Sequence, residues 1–295
     1  MPLPTLVGLG EILWDLFPDG PRFGGAPANF ACTAAELGAR VATVEMVSAV
    51  GTDPLGDQAL AALRQHGVQV SAVPQLDFPT GTVLVELDPR GQATYSFASN
   101  TAWDNLAWTP TLAELASRTS LVCFGTLGQR AAPSLATIRR FVEATPATAS
   151  RLLDINLRPP HWNAAVVHES LPLANVVKLN DQELAELSPL LDLTGPEPLR
   201  LEQLLRRYDL RLVALTRGER GSVLLSATGE RSELPGEPVT VADTVGAGDA
   251  FSAALALGLV LGHPLADIHR RASCVAAYVC TQSGATPGIP TELRL

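Results

Sequence analysis

The stretch Asp243-Thr-Val-Gly-Ala-Gly-Asp249-Ala-Phe-Ser252 decides how the rest of the chain is read. Gly246, Ala247 and Gly248 carry almost no side chain, so backbone N–H groups there can converge on an anion. The apolar run from Ala250 to Leu261 reads as the helix that follows, and such a nest at a helix start binds anions. Asp249 is the odd residue, because a carboxylate beside a phosphate-sized hollow repels the anion unless it has a proton to take. An acceptor for a hydroxyl proton fits that position. By spacing alone, the stretch is equally a Gly-rich turn before a helix whose first-turn Asp complements the dipole.

With 295 residues and 46% hydrophobic content, the chain can bury one large α/β core and a small accessory element. The formal net charge is −9 and no Lys/Arg-rich run occurs, which argues against nucleic acid or an anionic membrane as the main partner. A phosphate-bearing substrate then needs a local cationic or amide-lined pocket. Among the 21 Lys and Arg residues only Lys178 is lysine, a bias that reads as genome base composition. Cys32, Cys123, Cys274 and Cys280 form no CxxC pair and read as free thiols in a reducing compartment. The start Met1-Pro-Leu-Pro-Thr-Leu-Val-Gly8 lacks the features of a signal peptide, and no apolar run has the length of a membrane span. A soluble, cytoplasmic protein is expected.

Working outward, Thr5 to Leu9 reads as a buried strand, and Val7-Gly-Leu-Gly10 lacks the third glycine of a dinucleotide-binding turn. Glu11 to Phe17 continues in an extended pattern with Asp15 inside it, and Pro18-Asp-Gly-Pro21 reads as a turn. In Gly24-Gly25-Ala-Pro27-Ala-Asn29, Pro27 opens a helix that Gly38 ends. Asn29 offers a donor and an acceptor, as a polyol ligand requires, and is equally readable as a surface helix residue. Asp53-Pro54 caps a helix to about His66. Thr80 to Glu86 and Gln92 to Ala98 read as a hairpin about Asp88-Pro-Arg-Gly91, forming with Ile12 to Phe17 a small sheet without helices. Tyr95, Phe97, Trp103 and Asp104 lie near it in sequence.

From Ser120, strands alternate with helices: strands at Leu121 to Phe124, Arg151 to Ile155, Val176 to Leu179 and Leu212 to Leu215, and helices over Ser134 to Ala144, from Asp181, and over Glu197 to Tyr208. That alternation predicts a parallel sheet covered on both faces, with ligands at the carboxyl ends of its strands. Asp154, Asn156, Arg158, Lys178, Asn180, Glu183, Thr216, Arg217 and Gly218 fall there. Asn180-Asp-Gln-Glu183 has the spacing of a capping box, which by itself accounts for both residues. A last long helix is expected over Ile268 to Thr281.

Three segments together resemble the ribokinase-like (PfkB) carbohydrate kinases. Asp243 to Phe251 matches the family's Asp-Thr-x-Gly-Ala-Gly-Asp-x-Phe signature, and Gly24 to Asn29 is similar to its Gly-Gly-x-x-x-Asn signature in the Ala-Pro form of bacterial fructokinases. Asp154-Ile-Asn-Leu-Arg158 resembles the Asp-x-Asn-x-Arg segment of fructokinases and 2-keto-3-deoxygluconate kinases. The resemblance spans essentially the whole chain. It departs at Ala39 to Val50, about three residues longer than usual, implying a strand that begins early or carries a bulge.

The resemblance implies one ribokinase-like domain over residues 1–295. It would be a three-layer αβα core around a mostly parallel sheet, with a β-sheet lid from about residues 11–24 and 80–98. It implies transfer of the γ-phosphoryl group of ATP to a sugar, most readily fructose, with Mg²⁺. Asp249 would be the base, and the amides of Gly246, Ala247 and Gly248 the anion hole. Asp15, Gly25, Asn29 and Arg158 would hold the sugar, while Asn180, Thr216, Gly218, Gly221 and Ser273 would border the nucleotide. Glu183 would hold Mg²⁺ through water, and Asp243 and Ser283 would border a K⁺ site. A homodimer through the lid is also implied. The alternatives are another sugar or sugar-acid kinase, a nucleoside kinase, and a non-catalytic sugar-binding protein on the same fold.

Overall fold

The computed structural model describes residues 2–87 and 93–295. The chain first builds β1 (Thr5–Leu9), β2 (Leu13–Phe17), β3 (Gly20–Gly24), α1 (Ala26–Leu37), β4 (Thr43–Val47) and β5 (Val50–Gly51). Next come α2 (Pro54–Gln65), β6 (Gln75–Leu76), β7 (Gly81–Leu87), β8 (Ala93–Phe97), α3 (Pro110–Arg118), β9 (Leu121–Phe124) and α4 (Ala132–Glu143). Then follow β10 (Ser150–Asp154), α5 (Ala164–Ser170), β11 (Val176–Asn180), α6 (Asp181–Leu190), α7 (Glu197–Arg207) and β12 (Leu212–Thr216). The last elements are β13 (Ser222–Ser226), β14 (Arg231–Leu234), α8 (Ala247–Val260) and α9 (Leu265–Cys280). The expected turn Asp88 to Gly91 lies outside the described residues.

The central strands are short and apolar on both faces, as a parallel sheet between two helix layers requires. Successive side chains point to opposite faces, and the core divides accordingly. Leu6, Leu121, Cys123, Leu152, Val176 and Leu212 pack with α1, α8 and α9. Val7, Val122, Phe124, Leu153, Val177 and Val213 pack with α3 to α7. The eight-stranded sheet runs β14-β13-β12-β11-β10-β9-β1-β4. Its six strands from β12 to β4 are parallel, and β13 and β14 turn back antiparallel at one edge.

A separate four-stranded sheet, β3-β2-β7-β8, leaves the core after β1 and again after α2. The proposed turn at Pro18 to Pro21 is only the tip of a hairpin there. Gly20–Gly24 is a strand paired antiparallel with β2, from Phe17↔Gly20 to Leu13↔Gly24. The extra residues after Gly38 do not enter the strand either. Val41 and Ala42 fold back to donate to Gly38 O, and β1 and β4 then pair without a bulge from Thr5↔Thr43 to Leu9↔Val47. The last helix starts at Leu265, one turn before the expected Ile268, directly after Pro264.

Asp53 fixes the junction between core and second sheet. One carboxylate oxygen accepts from Gly56 N at the start of α2 (2.8 Å) and from the Thr80 hydroxyl (2.7 Å), and the other accepts from Thr80 N (2.8 Å). Burial alone would raise its pKa, but the Thr80 and Gly56 donors outweigh it and hold the carboxyl below its usual 3.8. Asp53→Ala should lower unfolding stability by about 2–3 kcal/mol, read as the shift in urea midpoint at neutral pH. Because the folded pKa is depressed, that stabilisation is complete above the ordinary Asp range and is lost as pH falls through the folded value. The gap between wild type and variant should therefore close in acid.

Candidate active site

A cavity of about 670 Å³ lies between the carboxyl ends of the core strands and the second sheet. The second sheet supplies Asp15, Phe17, Phe23, Val83, Tyr95 and Phe97, and the core supplies Asn156, Arg158, Lys178, Asn180 and Thr216. The start of α8 closes one end with Gly246, Gly248 and Asp249.

Two glycines are required where α8 begins. Gly246, its N-cap, has φ +80°, and an added Cβ would meet the Ala285 carbonyl oxygen at 2.3 Å. A Cβ on Gly248 would sit 2.9 Å from Lys178 Nζ, so its absence lets the cation approach the helix start. The first-turn N–H groups have no intrahelical acceptors. Ala247 N turns back toward Thr244 O at 3.3 Å, whereas Gly248 and Asp249 present theirs in the first turn.

Asp249 is oriented from a distant helix: Asn29 Nδ2 donates to its Oδ2 at 2.8 Å, linking α1 to α8. Burial raises the Asp249 carboxyl to about 6, and the Asp154 carboxylate pushes the same way. The Asn29 hydrogen bond, Lys178 and Arg158 oppose the rise. A carboxyl with that affinity is ionised at neutral pH and still basic enough to take a proton. The amide oxygen of Asn29, Oδ1, is buried with no partner, a free acceptor beside Asp249.

Beneath the helix start, Lys178 Nζ donates to Asp154 Oδ1 (3.1 Å) and Ser252 Oγ donates to Asp154 Oδ2 (2.8 Å). Burial disfavours the Lys178 charge, but the carboxylates of Asp154, Glu183 and Asp249 outweigh it and hold the pKa above the ordinary lysine value. The side chain is thus a fixed cation aimed at the mouth of the amide nest. Asn156, just after β10, has φ +42°, a left-handed conformation that Asn tolerates better than most residues. It turns the chain so that Leu157 N reaches Glu183 and Arg158 lines the cavity.

Most of the expected site converges. Asp15, Gly25, Asn29, Arg158, Asn180, Thr216, Asp243, Gly246, Gly248 and Asp249 all line the cavity. Burial raises the Asp15 pKa, against the pull of Arg158 and Arg22. Glu183 does not line the cavity: it completes the capping box with Asn180, accepting from Asn180 N (2.8 Å) and Leu157 N (3.0 Å). Gly218, Gly221, Ala247, Ser273 and Ser283 also lie off the lining, although Gly284 and Ala285 are on it. Ser273 sits 3.4 Å from the Ser222 hydroxyl, which meets the buried His269 Nε2 at 2.8 Å. The Asp243 carboxylate joins two loops, accepting from Val245 N (3.0 Å) and Gly284 N (3.2 Å). Trp103 and Asp104 are structural: Arg130 stacks over the Trp103 ring and pairs with Asp104. Among the described residues no three His, Cys, Asp or Glu side chains cluster to hold a metal ion.

One group is placed by the sequence without a role, and another escapes it. Lys178 reads at the carboxyl end of a strand, where ligands gather, but its standing as the single lysine reads as composition alone. Glu11 is buried beside Asp249 and was read only as the start of an extended run.

Comparison with known proteins gives the same picture. The model of the pfkB family carbohydrate kinases matches residues 20–292. A fructokinase of Salmonella typhimurium is 32% identical over 97% of this chain and 96% of its own length. The structure of a fructokinase with bound ATP from Xylella fastidiosa superposes with a TM-score of 0.83 at 26% identity, covering 97% of this chain and 95% of that one. A putative ribokinase II from E. coli in complex with ATP and Mg²⁺ shares the fold, with a TM-score of 0.84 at 22% identity over 99% and 98% of the two chains. With its anion nest, buried carboxyl and two-sheet cavity, this chain belongs to the pfkB family of carbohydrate kinases.

Proposed function

We propose that this sugar kinase is a fructokinase, transferring the γ-phosphoryl group of ATP to the 6-hydroxyl of fructose. The observation that carries the reading is Asp249: buried, aimed by Asn29, and set where the amide-rich start of α8 meets the sugar-sized cavity. The Ala-Pro form of the Gly24 to Asn29 segment, the Asp154 to Arg158 segment and the kinship with the Salmonella fructokinase support fructose.

In this reading Asp15, Asn29 and Arg158 hold the sugar hydroxyls, and Gly25 leaves room for them. Asp249 takes the proton of the attacking hydroxyl as its oxygen reaches phosphorus. The amides of Gly246, Gly248 and Asp249 and the Lys178 ammonium stabilise the charge that develops on the transferring group. Asn180 and Thr216 line the phosphate side of the cavity, with Gly218, Gly221 and Ser273 toward the nucleotide base. Mg²⁺ bound with ATP would neutralise charge on the phosphates. Glu183 would hold it only through water, since both its oxygens accept backbone N–H groups, one of them in the capping box, off the cavity lining. K⁺ is assigned to the loops of Asp243 and Ser283. The second sheet acts as a lid that excludes water, and its outward Leu84, 47% exposed, gives an apolar spot for a homodimer through that sheet.

The test is ADP release with Mg·ATP and fructose, ribose, 2-keto-3-deoxygluconate, glucose or adenosine in turn. Fructose should dominate; a stronger signal with another acceptor replaces the substrate, and silence with all of them overturns the kinase assignment. Asp249→Asn should lower kcat by about 10²–10⁴, the range for a lost general base, and near-normal turnover in that variant would reject Asp249 as the base. Lys178→Arg is expected to lower kcat roughly 10²–10³-fold although charge is kept, because the wider guanidinium cannot fit against Gly248. Steady-state kinetics with full activity would remove Lys178 from the phosphoryl site.

A further inference from the structure

Glu11 has no role in the scheme above. It follows β1 and Gly10, is 2% exposed, and its Oε2 has no hydrogen-bond partner. A buried carboxyl oxygen left alone is costly and asks for a physical explanation. Glu11 lines the main cavity and also a small hollow of about 10 Å³ that adjoins it, together with Asp154, Asn156, Thr126 and Asp249. That is about the space one water takes, and three carboxyl groups border it, of which Asp154 is already engaged by Lys178 and Ser252.

We propose that Glu11 and Asp249 share one water in this hollow, and that Glu11 is the second station for the proton Asp249 takes from the substrate hydroxyl. The inference rests on Asp249 being the base. In the transfer step the hydroxyl O–H bond breaks, the new O–P bond forms, and the P–O bond to the β-phosphate breaks with its electron pair leaving on ADP. Asp249 then gives its proton to the water, and the water gives one of its own to Glu11 Oε2. Asp249 is a carboxylate again before the cavity opens, and Glu11 releases the proton to solvent as product leaves.

The charges around the pair suit the exchange. Burial raises Glu11 to about 7; its own and the Ala26 backbone amides and Arg158 pull down, and Asp249 pushes up. Asp249, at about 6, faces Asp154 on β10, Lys178 on β11 and Arg158 after β10. The nearby Cys123 thiol on β9 is pushed well above its ordinary range by burial and these carboxylates, so it stays neutral. Two acids this close in affinity pass a proton with little penalty, and they titrate as a pair. Both must be ionised before transfer, so activity falls as pH drops and two protons bind.

The test is the pH dependence of kcat/KM, with whichever sugar the protein turns over best. The wild-type acid limb should fall with two ionisations, steeper than unit slope. Glu11→Gln should leave one ionisation with its inflection moved to lower pH, and a kcat about tenfold lower near neutrality. Glu11→Asp should restore the steeper limb. An acid limb in Glu11→Gln matching wild type in slope and position overturns the relay. Should Glu11→Gln fail to fold, infrared difference spectra of the wild type decide: a protonated buried carboxyl band should vanish around pH 7. Absence of that band removes Glu11 while leaving Asp249 standing, whereas an active Asp249→Asn protein removes the base and the relay together.

Discussion

The buried ion pair between Lys178 and Asp154 is the interaction on which the rest of the site depends. A buried pair is favourable only where further hydrogen bonds compensate for lost hydration. Here Ser252, one turn into α8, supplies one to the second Asp154 oxygen. The pair therefore ties β10, β11 and α8 together at the point where the strands end and the helix begins. Gly248 lets the cation reach the helix start, so ammonium and backbone amides face the same space. With Asp154 engaged by Lys178 and Ser252, Asp249 is the carboxyl at the helix start that faces the cavity and can accept a proton.

The second sheet supplies the other half of the chemistry. It grows out of the core between β1 and α1 and between α2 and α3, so its strands cover the carboxyl ends of the parallel sheet. Asp15 on β2 and Asn29 on α1 are separated by the β3 hairpin, yet both line the cavity that contains Asp249. Phe97 on β8 packs edge-on against His161, from the loop that carries Arg158, with ring centroids 4.9 Å apart. That contact joins the second sheet to the core at the side of the cavity lined by Arg158.

Much of this arrangement was legible because local chemistry and global fold agree. The Gly-Ala-Gly-Asp run needs small residues for the same reason that the helix start binds anions. The Asn180 and Glu183 capping box and the Asp53 cap were readable as local hydrogen bonding. Four features were hidden for identifiable physical reasons. β3 contains Gly20 and Pro21, which signal a turn, and becomes a strand only through long-range pairing with β2. The extra residues after Gly38 are absorbed in a turn, a choice that spacing cannot distinguish from a bulge. Glu183 had two compatible roles in the sequence, and the structure displays the capping one. Glu11 carried no local signal, because its meaning comes from burial beside a carboxyl far away in the chain.

The most direct measurement is calorimetric titration of fructose into the wild-type protein and Asp249→Asn, alongside their turnover with Mg·ATP. If Asp249 acts on the hydroxyl proton and not as a scaffold, the two proteins should bind fructose within a few-fold of each other while turnover is lost in the variant. Loss of binding together with turnover, in a variant that remains folded, would contradict the account by making Asp249 a sugar-holding or structural group.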